Sequence, residues 1–134
     1  MNTLYENKFV KIGLCPSSKT IEFVFLPATE MLSDQLFRET MNRFAELANQ
    51  HRPNKELVDL RHMVYTIRPE MQQWLDEYIF PRYTDIIRKI AFVVSPDIFV
   101  MASIEQTMEE DRASEFVIKY FREHEQAKDW LMAS

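Results

Sequence analysis

The chain has 134 residues, 46% hydrophobic and 28% charged, with a formal net charge of −5 and a pI of about 5.2. That length fits one domain over residues 1–134 with a sizeable core, and the acidic balance argues against a nucleic-acid footprint or an anionic membrane surface. The one glycine, Gly13, cannot build the loops G-x-G-x-x-G, G-x-x-x-x-G-K-[ST] or G-x-S-x-G, and the one cysteine, Cys15, excludes an internal disulfide and a cysteine zinc site.

Residues 1–7 lack a basic region followed by an apolar stretch, so they do not read as a signal peptide. The longest apolar runs are about five or six residues, against the roughly 20 a membrane-spanning helix needs. A cytoplasmic protein without a membrane span is the expectation. Residues 3–15 alternate loosely, with Leu4, Phe9, Val10, Ile12 and Leu14 among polar neighbours. Pro16-Ser17-Ser18 signals a turn, and residues 19–26 are rich in β-branched and aromatic types. Together they predict a β-hairpin, ended by Pro27.

The period then changes. Leu36, Phe37, Thr40, Met41, Phe44, Leu47 and Ala48 form a helical stripe over 30–50, with Ser33 or Thr29 as its cap and Pro53 beyond its end. Residues 56–62 predict a short strand. Pro69 sits at a first helical position, and Met71, Trp74, Leu75, Tyr78 and Ile79 continue the stripe until Pro81 breaks it. Tyr83, Ile86 and Ile87 predict a second helical piece. The apolar run 89–95 predicts an interior strand. Ser95-Pro96-Asp97 opens a helix, with Ser95 as cap and Ile98, Met101, Ala102 and Met108 on its buried side. Residues 115–121 predict a strand. In the closing helix, Ala127, Trp130 and Leu131 share the face that seals it on the sheet.

The predicted order is β-β-α-β-α-β-α-β-α: an α/β single domain with a mixed sheet of about five strands, an N-terminal hairpin and covering helices. Three stretches then carry a resemblance over essentially the full chain. They are Leu26-Pro27-Ala28-Thr29-Glu30 before a helix, Leu57-Val58-Asp59-Leu60-Arg61 as central strand, and Ala91-Phe92-Val93-Val94-Ser95 before a helix. The ending Tyr120-Phe121 followed by Glu125-x-Ala127-x-x-Trp130-Leu131 adds to them. The chain resembles the STAS-like proteins of the SpoIIAA-like group, the small α/β fold shared by anti-sigma factor antagonists. The resemblance implies a phosphorylation- or ligand-responsive interaction domain. The antagonists carry an Asp-Ser-Ser-Gly-type motif after the central strand. Here Asp59 is followed by Leu-Arg-His-Met-Val-Tyr-Thr-Ile-Arg-Pro, without Ser-Ser or glycine.

The segment from Asp59 to Glu70 is the candidate site, because open α/β sheets bind ligands where strands run out into helix starts. Asp59 and Arg61, two residues apart on one face of the strand, can orient a polar ligand or form a structural ion pair with a neighbour. Thr66 is the candidate phosphoacceptor, or a hydroxyl bonding local backbone. Arg68 precedes Pro69 and offers no acceptor as a cap, so its guanidinium and the free N–H groups suit an anion, unless an acid such as Glu70 takes them up. His51, His62 and His124 lack metal-binding spacing, so no metal and no cofactor is expected. The expectation is a non-enzymatic regulatory domain with a protein partner, or a second copy as homodimer. The alternative is a small apolar-ligand or lipid-binding domain.

Overall fold

The computed structural model describes residues 1–133. Six strands form one sheet: β1 (Asn2–Glu6), β2 (Val10–Cys15), β3 (Thr20–Phe25), β4 (Lys55–Asp59), β5 (Lys89–Val93) and β6 (Val117–Phe121). Their spatial order is their order along the chain. β1–β2–β3 is an antiparallel meander, and β3 to β6 run parallel. Four α-helices connect or follow the parallel strands: α1 (Asp34–His51), α2 (Pro69–Trp74), α3 (Ile98–Thr107) and α4 (His124–Met132).

The sheet has one strand more than the sequence suggested. Residues 3–15 divide at Asn7, whose Oδ1 accepts from the N–H groups of Phe9 (2.8 Å) and Val10 (2.9 Å). Such a side chain satisfies turn backbone without glycine. The two left-handed positions, Lys19 in the β2–β3 turn and Arg52 at the end of α1, are likewise filled without glycine. Gly13 lies inside β2.

Helix α1 follows its stripe. Ser33 is the cap, its Oγ accepting from the Leu36 N–H at 3.1 Å. Phe37, Thr40, Met41, Phe44, Leu47 and Ala48 are buried, while Leu36 is exposed. Thr29, the other candidate cap, lies in a 3₁₀ turn over Pro27–Met31. Helix α2 widens into a π-helical turn over Leu75–Ile79, where the Phe80 N–H reaches Leu75 O. Pro81 cannot donate to a carbonyl one turn back, and the turn before it opens. Tyr78 in the widened turn is at the surface, while Met71, Leu75 and Ile79 of the stripe are buried together with Phe80. Tyr83, Ile86 and Ile87 are buried in turns that follow a 3₁₀ turn over Phe80–Arg82, not in an α-helix.

Helix α3 begins two residues later than the sequence suggests. Asp97 is the cap, its Oδ1 accepting from Phe99 N–H (2.9 Å) and Val100 N–H (3.2 Å). Ser95 Oγ instead accepts from the Asp97 N–H. The buried side of the helix is Val100, Ser103, Ile104 and Thr107; of the expected residues Met108 is buried and Met101 half-buried, while Ile98 and Ala102 are exposed.

The main core lies between one sheet face and the α1–α2–α3 side, built on Phe23, Phe37, Phe44, Met71 and Tyr83. A smaller cluster on the other face joins Leu57, Ala91 and Val93 to Ala127 and Leu131 of α4. Two covered faces explain why β4 and β5 are buried along most of their length. Trp130 is only half-buried, against Phe121.

Candidate functional site

The parallel strands β3 to β6 all finish at the same end of the sheet. The loop 60–68 leaves β4 there. Leu60 N–H still bonds Val93 O at 2.9 Å, and Met63 N–H bonds Leu60 O at 3.1 Å, turning the chain. Val64 N–H then donates to Thr29 Oγ1 (2.9 Å) and Ile67 N–H to Ser103 Oγ (3.1 Å). The loop is thus fastened to the turn after β3 and to α3. Its side chains alternate: Met63, Tyr65 and Ile67 point inward and are buried, while Val64, Thr66 and Arg68 are exposed.

The structure sorts the four sequence candidates into separate groups. Asp59 and Arg61 form a two-pronged ion pair, with Arg61 Nε at 3.0 Å from Oδ1 and Nη2 at 2.6 Å from Oδ2. The Arg61 backbone N–H adds a bond to Oδ1 at 3.1 Å. Burial works to raise the Asp59 carboxyl, but the Arg61 hydrogen bonds outweigh it and hold the group below its ordinary value. His124, at the start of α4, lies 3.6 Å from Glu22 on β3. It also helps to hold Asp59 charged.

Arg68 belongs to a second cluster. Its Nε donates to Glu70 Oε1 at 3.0 Å, and its Nη2 pairs with Asp34 Oδ2 at the start of α1. The Tyr65 hydroxyl donates to Asp34 Oδ1 at 2.5 Å. Arg68 provides no side-chain cap for α2. Its guanidinium is engaged by two carboxylates of this chain. Thr66 lies between Arg61 and Arg68 along the chain and is exposed. Among the described residues no hydrogen bond or ion pair joins Asp59–Arg61 to Arg68. Asp34 and Tyr65 escaped the sequence reading because they lie 34 and 31 residues away from their partners.

The same end of the sheet exposes large apolar side chains. Met31 follows β3 at 70% exposure, Val64 follows β4 at 45%, and Ile98 and Phe99 follow β5 at 74% and 71%. Met31 and Val64 sit on segments joined by the Thr29–Val64 hydrogen bond.

A third feature lies inside. A cavity of about 60 Å³ separates the sheet from the α1–α3 side, with Phe23, Phe25, Val58 and Phe92 among its walls. Glu56 of β4 lines it, 4% exposed. Glu56 Oε1 is buried without a hydrogen-bond partner among the described residues. Burial pushes its carboxyl up to about 8. Tyr83 and Thr107 also line the cavity. Burial, and then the nearby Glu56, raise the Tyr83 hydroxyl well above its ordinary value.

Among the described residues no group of three or more His, Cys, Asp and Glu is arranged to hold a metal ion. No helix among them is long and apolar enough to cross a membrane. No curated protein and no solved structure matches the chain. A family profile described as SpoIIAA-like matches residues 23–132. That stretch takes in the second half of β3, the three later strands, all four helices and both ion-pair clusters, and on it the chain belongs to the SpoIIAA-like family.

Proposed function

We propose that this chain is a non-enzymatic, cytoplasmic regulatory domain that docks a partner protein on the end of the sheet where β3, β4 and β5 finish. The observation that supports this most is the exposure of Met31, Val64, Ile98 and Phe99 there. Water-exposed aromatic and aliphatic side chains beside arginine have the composition of an interface centre with a polar rim. Arg61 and Arg68 supply that rim, with Asp59 and Asp34 holding their guanidinium groups in place. Thr66 stands exposed within the same face, where a phosphate would change the charge a partner meets. The pairing of Arg68 with Asp34 and Glu70 favours docking over capture of a free anion.

The ligand reading has its own support in the internal cavity. At about 60 Å³ it holds a few non-hydrogen atoms and not an acyl chain, since drug-sized sites run to several hundred Å³. The lipid-carrier form of that reading has no such support.

The docking test compares the parent with Ile98→Ser/Phe99→Ser, Arg68→Ser and Thr66→Val. Partners captured from host lysate are identified, purified and titrated against each variant. The double serine variant should weaken binding at least about tenfold and leave stability within about 0.5 kcal/mol, as its side chains touch mostly water. Unchanged affinity in every variant would remove this face from consideration. A dimer in light scattering that the double variant dissolves would make a second copy the partner.

A further inference from the structure

Glu56 occupies the middle of the sheet, between Ile21 on β3 and Ile90 on β5. Both faces of β4 are covered: Leu57 packs toward α4, and Val58 toward the main core. Glu56 shares the Val58 side and lines the cavity with aromatic and aliphatic neighbours. Buried carboxyls in folded proteins ordinarily have a cation or several donors beside them. Among the described residues Glu56 Oε1 has neither. Glu56 lines the apolar cavity with a carboxyl that has an unpartnered oxygen, and such a carboxyl marks a position where something else can supply a hydrogen bond.

The walls define what fits. Apart from Glu56, the polar lining consists of the Tyr83 and Thr107 side chains. The Thr107 hydroxyl donates to Ser103 O at 2.7 Å, so toward the cavity it offers only an acceptor. No basic side chain lines the space. A charged guest would have to shed its water in an apolar cavity, which a neutral guest avoids. The volume of about 60 Å³ admits a body of a few carbon atoms.

We propose that this cavity is a binding site for a compact neutral molecule with an apolar body and one hydroxyl or carbonyl oxygen, anchored by a hydrogen bond to the Glu56 carboxyl. A protonated Glu56 donates O–H to the guest oxygen, and its carbonyl accepts from a hydroxyl guest. The inference rests on the ligand reading above and is independent of the docking face. The site also touches Ile67 of the loop and Ile104 of α3, so a guest lies directly beneath the exposed segment.

The test uses isobutanol, isobutylamine and xenon as probes, followed by methyl NMR of Val58, Ile67, Ile90 and Ile104. The proteins are the full parent chain, Glu56→Gln and Glu56→Leu. Isobutanol should shift the cavity methyls saturably in the parent and in Glu56→Gln, which keeps a donor and an acceptor. Glu56→Leu should weaken isobutanol about tenfold, the worth of one hydrogen bond, while xenon still enters. Isobutylamine should bind more weakly than isobutanol. Exclusion of both isobutanol and xenon from the parent would end the ligand reading itself, leaving a cavity occupied by water only. Entry of isobutanol with equal affinity in the parent and Glu56→Leu would overturn the assignment to Glu56 alone. Tighter binding of the amine would overturn the neutral-guest assignment.

Discussion

Replacing Glu56 with glutamine should stabilise the fold by an amount set by pH. The folded carboxyl titrates near 8, whereas an unperturbed one titrates near 4.5. Between those values the folded state holds a proton that the unfolded state has released. Stability therefore falls as pH rises through this window, by about 1.4 kcal/mol per unit. Tyr83, the other titratable group lining the cavity, is itself pushed upward and stays neutral throughout. Near pH 4 the two proteins should differ little. At pH 7, with both ends of the titration included, keeping Glu56 protonated costs about 3 kcal/mol. Above pH 8 the difference should level off near 5 kcal/mol, a large part of a typical 5–15 kcal/mol total. Glutamine has the same reach and no charge to desolvate. The assay is urea unfolding of both proteins at half-unit steps from pH 4.5 to 9. A difference that stays flat within about 0.5 kcal/mol between pH 5 and 8 would refute the burial argument.

Two further substitutions probe the other face. Trp130 packs beside the Phe121 ring at 5.8 Å and lies under the Lys89 ammonium at 4.5 Å, yet is half-buried. Trp130→Ala should cost about 2 kcal/mol in chemical unfolding, less than the 3–5 kcal/mol of a fully buried tryptophan; a change under about 0.5 kcal/mol contradicts the packing. Asp59→Asn should cost about 1–2 kcal/mol at neutral pH by weakening the Arg61 pair. Because the folded carboxyl lies below its ordinary 3.8, that contribution is complete above 3.8 and fades as pH falls through the lowered value. A loss that does not shrink on acidification refutes it.

Much of the fold was legible because local periodicity and burial agree. The α1 stripe and the apolar run of β5 report a helix with one buried side and a strand covered on both. The start of helix α3 is ambiguous in sequence because Ser95-Pro96-Asp97 offers two caps; with Asp97 as the cap, Val100 is buried and Ile98 exposed in the first turn, while Met108 is buried as its spacing suggests. Tyr78 left its predicted stripe because a π turn adds a residue, which no 3.6-residue period anticipates. At the site, position was readable and partnership was not. The strand-end rule leads to Asp59 and Arg68, but only the layering puts them in different clusters and brings Asp34 to Arg68. Glu56 was the least legible. In sequence it is an ordinary polar residue at the start of a strand. Its meaning depends on both sheet faces being covered.

The sequential order β1 to β6 bears on how the chain folds. No strand has to insert between two that formed earlier. The antiparallel meander is local in sequence, so it closes at little entropic cost. Each later strand then pairs with the edge just completed, after a connection that includes a helix and runs over residues 26–54, 60–88 and 94–116 in turn. A chain emerging N-terminus first can add strands in the order in which they are synthesised. The growing edge passes from β3 to β4 to β5, and β6 with α4 closes the process. Folding intermediates should therefore lack β6 and α4 and retain the meander, which pulse-labelled hydrogen exchange would read as late protection of residues 117–132.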